Sequence, residues 1–275
     1  MNIDLHCHST ASDGLLKPAD VVARAAAKGV TTLALTDHDD LSGLAEARAR
    51  AESEGVRFVD GVEISVTWEG ATVHIVGLQI DPKNPVLRSG LESVREGRAK
   101  RAEKMGDALA AAGVPDSLSG AKAYAENPSL ISRSHFARHL VKTGRARDVK
   151  SVFQHYLVKG KPGFVQHEWA TLADAVSWIR ASGGVAVIAH PGRYEFSKSE
   201  MRVFVGRFGD CGGAGIEVVT GSHTPEQYVE FARVSREFGL LASRGSDYHG
   251  KGESRADLGD LPQLPDDLKP VWHDW

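Results

Sequence analysis

His6 and His8 stand two residues apart at the end of a short run, NIDLH (2–6). In a strand, residues two apart share a face, so both imidazoles point one way while Leu5 and Cys7 point the other. Asp13 follows in the next loop. The pattern of an apolar run ending in ligating groups then recurs. TTLALTD (31–37) leads into His38 and Asp39, and Gly61-Val62-Glu63 closes a further run, with His74 in the strand paired to it. GVAVI (184–188) leads into Ala189-His190-Pro191, and LLASRG (240–245) into Ser246-Asp247-Tyr248-His249. Each motif alone describes a satisfied strand-end histidine or a capping aspartate. Together they describe five strand ends that each deliver His, Asp or Glu. Burying such groups is costly unless they are paired or hold a metal.

The donors are six imidazoles (His6, His8, His38, His74, His190, His249) and three carboxylates (Asp13, Glu63, Asp247), with no thiolate among them. That mixture suits Mn, Zn or Fe(II) rather than a soft-metal site. With three or four protein ligands per ion and positions left for water, nine donors would serve two or three ions. Metals held a few ångströms apart activate a water and stabilise the attacking and leaving oxygens of phosphoryl transfer.

Such convergence needs strands whose ends meet. Short β-rich runs at 2–6, 31–37, 56–66, 71–80, 184–191, 214–221 and 240–250 alternate with helical patterns at 18–28, 41–55, 171–183, 201–209 and 224–239. Pro18 opens the first helix and Gly29 lies just past its end, as helix punctuation prefers. Trp68-Glu69-Gly70 reads as a tight turn between the third and fourth strands. Alternation of this kind implies parallel βα units. Seven strands suit a closed or nearly closed α/β barrel, in which strand ends converge on one face.

Residues 91–164 break the rhythm, with helical patterns at 91–112, 133–143 and 148–158 and no convincing strand. They read as a helical insert, leaving 1–90 and 165–275 as the barrel. The second half of the insert is strongly basic. Between Leu130 and Val165 stand Arg133, Arg138, Lys142, Arg145, Arg147, Lys150, Lys159 and Lys161 against a single acid, Asp148, in a chain of formal charge −3. That asymmetry favours an anion site over a merely solvated face.

Composition excludes several classes. With 275 residues, 41% of them hydrophobic and 25% charged, the chain is neither a disordered tail nor a disulfide-held mini-protein. A net charge of −3 argues against a nucleic-acid coat. The two cysteines form no CxxC pair, which fits a reducing compartment. No apolar run approaches the ~18 residues of a membrane span, and the N-terminus has no secretory pattern. The expectation is a cytoplasmic protein with no membrane partner and no obligate protein partner. No P-loop and no GxSxG elbow occurs, and His167-Glu168 lacks the second histidine of HExxH.

In order, His6-x-His8, Asp13, the TDH of 36–38, the GVE of 61–63, His74, the AHP of 189–191 and the SDYH of 246–249 resemble the motifs of the PHP (polymerase and histidinol phosphatase) family, within the amidohydrolase superfamily. The likeness covers nearly the whole chain. It is strongest to the single-domain branch that carries SRSHFARHLV (132–141) before the AHP strand, whose members act on 3′,5′-bisphosphorylated nucleotides. The resemblance implies a distorted (β/α)7 TIM-like barrel and a trinuclear Mn-type centre. His6, His8 and Asp247 would hold one metal with Glu63 as a bridge. Asp13, His38 and His249 would hold the second, and His74 and His190 with Glu63 the third. It also implies hydrolysis of the 3′-phosphate of bisphosphonucleotides by attack of a metal-bound hydroxide. Alternatives are 5′–3′ exonuclease action on short RNA or DNA, a histidinol-phosphate type of phosphatase, and a non-catalytic metal-binding module.

On that reading Asp13, Arg193 and His223 form the candidate catalytic set. Arg193, three residues after His190, and His223, in the loop after strand 214–221, are placed to reach the scissile phosphate, and His223 is a candidate acid for the leaving oxygen. Arg133, Ser134 and His135 open a predicted helix, whose free N–H groups attract a phosphate. The Arg133 guanidinium can bind it bidentately, while Arg138 adds charge or faces solvent. Metals would grip the phosphate that leaves and the insert the one that stays. Trp169, Trp178 and Tyr156 are candidates for base stacking or for packing.

Overall fold

A computed structural model describes all residues, 1–275. Its strands are β1 (Ile3–Asp4), β2 (Thr32–Leu35), β3 (Arg57–Trp68), β4 (Ala71–Leu78), β5 (Ala170–Thr171), β6 (Val185–Ile188), β7 (Gly215–Thr220) and β8 (Leu241–Gly245). Its helices are α1 (Pro18–Ala27), α2 (Leu44–Glu54), α3 (Pro85–Ala111), α4 (Ser117–Lys122), α5 (Arg133–Lys142), α6 (Val149–Val152), α7 (Leu172–Ala181), α8 (Lys198–Asp210) and α9 (Pro225–Phe238). The sheet order is β1-β2-β3-β4-β6-β7-β8, with the two-residue β5 added to β3. β1 meets β8 through Leu5 N–H to the Arg244 carbonyl (3.0 Å) and Asp247 N–H to the His6 carbonyl (2.8 Å). The seven principal strands thus form the nearly closed α/β barrel that the alternation predicts.

Alternate residues of each strand face opposite ways. Leu33 and Leu35 of β2 pack outward under the helices, in a layer of 42 buried residues. Ala34 between them joins Ile3, Leu5, Val59, Val76, Leu78 and Val187 inside the barrel, where Val271 from the C-terminal segment completes the filling. Gly245 stands where β8 closes on β1: a Cβ there would lie 2.3 Å from the Cβ of His6.

One strand departs from the parallel expectation. β4 runs antiparallel to both β3 and β6. The cause is local. Glu69 and Gly70 both have positive φ (48° and 75°), the backbone of a two-residue turn whose twist matches a hairpin. The chain therefore reverses at once instead of crossing over a helix. β3 also continues to Trp68, so Glu63 and His74 lie within the hairpin rather than at strand ends.

The return from β4 to β6 passes through the helical segment. α3 starts at Pro85, capped by Asn84, whose side chain accepts from Val86 N–H and Leu87 N–H. Its first half buries Leu87, Leu91 and Val94 against the barrel layer. Its second half buries Ala102, Met105 and Leu109 in a separate core with Phe136, Leu140 and Leu157. The short helix α4 escapes sequence periodicity, and the expected helix at 148–158 is one α turn followed by a π turn, Phe153–Leu157.

Candidate metal centre and the cavity beside it

All nine expected donors meet at one end of the barrel, around Glu63. Its Oε1 lies 2.8 Å from His190 Nε2 and 2.9 Å from His74 Nδ1. Its Oε2 lies 2.9 Å from His38 Nδ1, 3.3 Å from His8 Nε2 and 3.4 Å from His6 Nε2. Asp247 Oδ1 is 3.3 Å from His8 Nε2 and 3.5 Å from His6 Nε2. Asp13 Oδ1 is 3.3 Å from His249 Nε2 and 3.8 Å from His38 Nε2. The donors fall into overlapping groups whose atoms lie within 4.8 Å of one another: His8, Asp13, His38 and His249; His6, His8 and Asp247; His6, Glu63 and His190; His38, Glu63 and His74.

Buried partners hold these side chains in place. Glu217, in the middle of β7, takes His6 Nδ1–H on one oxygen (2.7 Å) and His190 N–H on the other (2.5 Å). Asp37 accepts from Ser9 N–H (2.8 Å), Ser9 Oγ (2.6 Å) and Ser12 Oγ (2.5 Å), which ties down the loop presenting His8 and Asp13. Asp39 accepts from Ser65 N–H (2.8 Å) and takes both Nε (2.8 Å) and Nη2 (2.6 Å) of Arg98. His190 and Asp247 have positive φ, 28° and 55°. Such conformations cost about 1–3 kcal/mol each in a non-glycine residue and persist where the surroundings over-determine them. Glu217 and the closing hydrogen bond to His6 provide that constraint here.

The electrostatics are those of a cation site. Burial opposes a charge on Asp13, Glu63 and Asp247, yet the surrounding imidazoles hold all three carboxyls well below the usual range. Burial and the neighbouring His249 push His8 down to about 3, and burial and Arg193 push His190 down to about 3. Burial opposes protonation of His249 too, but Asp13 and Asp247 overcome it and raise it to about 9. Burial opposes protonation of His6 as well, but Glu217, Glu63 and Asp247 raise it well above its ordinary value. Imidazoles face one another nitrogen to nitrogen: His6 Nε2 to His8 Nε2 at 3.1 Å, His74 Nδ1 to His190 Nε2 at 3.3 Å. Asp13 Oδ1, Glu63 Oε2 and Asp247 Oδ1 are buried with no hydrogen-bond donor. Lone pairs at such distances repel unless a cation lies among them. The donor set therefore fits divalent metal ions.

The expected substrate residues divide. Arg193 donates from Nη1 to Asp247 Oδ2 (2.8 Å) and keeps half its side chain exposed at the rim of the cluster. Arg133 lies over the Phe153 ring (5.6 Å) without an acidic partner, and burial together with Arg193 and Arg98 lowers it to about 10. Ser134 is turned to the cluster, its hydroxyl donating to Asp13 Oδ2 (3.0 Å). His135 is spent as a helix cap: its Nδ1 accepts from Ser132 N–H (3.1 Å). Arg138 neither faces solvent nor offers free charge. It is buried, binds Glu253 with Nε (2.8 Å) and Nη2 (2.7 Å), and caps the Asp13 carbonyl (2.5 Å). His223 accepts from Gly192 N–H (3.0 Å) and bonds the Val218 carbonyl (3.1 Å), so both ring nitrogens are occupied by backbone.

Beside the cluster opens a cavity of about 760 Å3, lined by Arg101, Arg133, Lys159, Trp169, Arg193 and Tyr194 among others. Of the three aromatics considered for stacking, Trp169 lies here, Trp178 packs on the barrel layer and Tyr156 on the second core. Sequence reading passes over Glu217, Arg98 and Arg101. Glu217 leaves a trace, an acid inside the apolar run of β7. The arginines leave none, because on α3 they look like ordinary surface charges.

Comparison with known proteins agrees with this geometry. The family description "PHP domain" matches residues 4–158. A 3′,5′-nucleoside bisphosphate phosphatase of Chromobacterium violaceum is 51% identical over 273 residues, covering 99% of this chain and 96% of the relative. A 5′–3′ exoribonuclease of Haemophilus influenzae is 43% identical, covering 98% and 97%. The solved structure of an amidohydrolase from Chromobacterium violaceum, with bound sulfate and no metal, superposes with a TM-score of 0.97 at 51% identity, over 100% of this chain and 95% of that one. A domain match over more than half the chain, together with that identity along nearly its full length, makes the chain a member of the PHP domain family.

Proposed function

We propose that the protein is a metal-dependent phosphatase that removes the 3′-phosphate of 3′,5′-bisphosphonucleotides, releasing the 5′-nucleotide and orthophosphate. One observation carries this reading: the nine-donor cluster and the cationic cavity share a wall at Arg193 and Tyr194. The likeness to the bisphosphate phosphatase of Chromobacterium violaceum supports it. Residues 1–90 and 165–275 act as the barrel that holds the metals, and 91–164 completes the substrate site. The working compartment is the cytoplasm, in keeping with the free thiols of Cys7 and Cys211.

The ligands are His6, His8, Asp13, His38, Glu63, His74, His190, Asp247 and His249, holding two or three Mn2+ ions, with Zn2+ or Fe2+ as substitutes. When bound, such ions supply Lewis acidity, a nucleophilic water at neutral pH and neutralisation of phosphoryl charge. The chain's own residues do the rest. Arg193, anchored by Asp247, has its remaining donors free for a phosphoryl oxygen, whose charge grows in the transition state. Ser134 orients Asp13. His223 fixes Gly192 and so the turn that carries Arg193, which makes it a positioning residue rather than an acid.

A second reading, 5′–3′ exonuclease action on short oligonucleotides, is favoured by the 43% identical exoribonuclease and by a cavity larger than one phosphate needs. A panel separates the two: 3′,5′-bisphosphonucleotides, 3′- and 5′-monophosphates, histidinol phosphate and a 5′-phosphorylated oligonucleotide. Each is run with Mn2+ and after chelation. Chelator-sensitive phosphate release from the bisphosphates, with the 5′-nucleotide as product, is expected. Turnover chiefly of oligonucleotides would replace the phosphatase reading by the nuclease.

A further inference from the structure

Arg101 is a charged side chain in an unusual position. It is 7% exposed, its Nε is buried with no hydrogen-bond partner, and its guanidinium makes no ion pair. It lies over the Trp169 ring at 5.3 Å and lines the cavity beside the metal cluster. Its neighbour Arg98, over the same ring at 4.8 Å, is neutralised by Asp39. Arg101 has no such acid, and Arg133, which lines the same cavity, has none either. Burial with Arg133 and Arg98 nearby lowers Arg101 to about 9. Three acids, Glu69, Glu195 and Glu200, also line the cavity, and Glu200 is held as a helix cap by Ser197 N–H. None of them pairs with either arginine.

A buried guanidinium without a counter-charge is unfavourable in the free protein and becomes favourable when an anion enters. Ser134, His135 and Arg138 have committed their polar atoms within the protein, which leaves Arg133 as the one free cation at the start of α5. We infer that Arg101 and Arg133 together form the subsite for the phosphate that is not hydrolysed, with Trp169 fixing the plane of the Arg101 guanidinium from beneath. This rests on the phosphatase reading above and adds to it the group on α3 that selects two-phosphate substrates.

The test compares Arg101→Gln and Arg101→Lys with wild type on a 3′,5′-bisphosphonucleotide and on the matching nucleoside 3′-monophosphate. The readout is the ratio of the two kcat/KM values. Arg101→Gln should lower that ratio at least about tenfold, mainly through KM of the bisphosphate, as loss of a charge-assisted bidentate contact requires. Arg101→Lys, which keeps the charge and loses the fork, should fall between. A merely structural arginine would lower both substrates alike, and an unchanged ratio overturns the inference. If Arg101→Gln does not fold, the ratio in Arg101→Lys decides in the same way. If wild type turns over neither substrate, the phosphatase reading fails, and calorimetric binding of a nucleoside 5′-monophosphate then decides the subsite. Weaker binding to the variant supports it, and equal binding overturns it.

Discussion

Glu217→Gln should weaken metal binding about 10–100-fold, the usual effect of losing the carboxylate behind a ligating histidine. The structure gives an independent route to that size. Glu217 offers two acceptor oxygens to two buried donors, His6 Nδ1–H at 2.7 Å and His190 N–H at 2.5 Å. Glutamine offers one oxygen and an NH2 group, so one of the two must face a donor. Glu217 is 1% exposed, and no water reaches the deprived group. Leaving a buried donor unpaired costs about 1–3 kcal/mol, which corresponds to roughly one to two decades in a binding constant. The assay is a chelator-competition titration of Mn2+ on wild type and variant, with thermal melts of both metal-free proteins. An affinity within about twofold of wild type would refute the argument that Glu217 orients His6, since even the lower bound predicts about tenfold.

Other outcomes follow from neighbouring contacts. His223→Gln should reduce kcat/KM about tenfold by loosening the Gly192–Arg193 turn, with the pH–rate profile unshifted; loss of its alkaline limb would make His223 the acid after all. Arg138→Ala leaves Glu253 unpaired and the Asp13 carbonyl bare, and should cost about 2–3 kcal/mol in chemical denaturation, at the lower edge of broken buried pairs because Glu253 is partly exposed. Hydrogen exchange in α5 should rise in step, and Arg138→Met with Glu253→Leu should recover part of the loss. Asp257, bound by Nε and Nη2 of Arg24 and by Lys28, is held down to about 2. Its stabilisation is complete above its unfolded value near 3.9 and is lost as pH falls from about 4 to 2. Asp257→Asn should therefore cost about 1 kcal/mol at neutral pH, reduced by solvent screening of this partly exposed pair. It should also flatten the acid limb of the stability curve.

The barrel and its ring of donors were legible because both depend on local chemistry. Apolar runs ending in His, Asp or Glu mark strand ends, and strand ends in a barrel share a face. The reversed β4 was half legible: Glu69-Gly70 announced a turn, but only its two positive φ angles show that the turn closes a hairpin in the barrel wall. The substrate side was harder to read. Arg138 on α5 and Arg101 on α3 are the same residue type, yet one is neutralised by Glu253 and the other by nothing. Glu253 is 115 residues from Arg138 in sequence, and no periodicity carries such a pairing. The same holds for His223, a candidate acid in the sequence, whose two ring nitrogens meet backbone atoms that a sequence does not display.

The C-terminal segment enters the barrel from the end opposite the donors. Ala242 N–H donates to the Lys269 carbonyl and Val271 N–H to the Ala242 carbonyl, both at 2.9 Å, and Val271 sits among Ile3, Leu5 and Ala34. The last of the barrel's filling therefore comes from residues that follow every ligand in the sequence. Val271 packs against Ile3 and Leu5, the strand from which His6 and His8 extend. The tail is thus a floor beneath the first two ligands, and a change at 269–271 reaches the metal site through packing rather than through any donor atom.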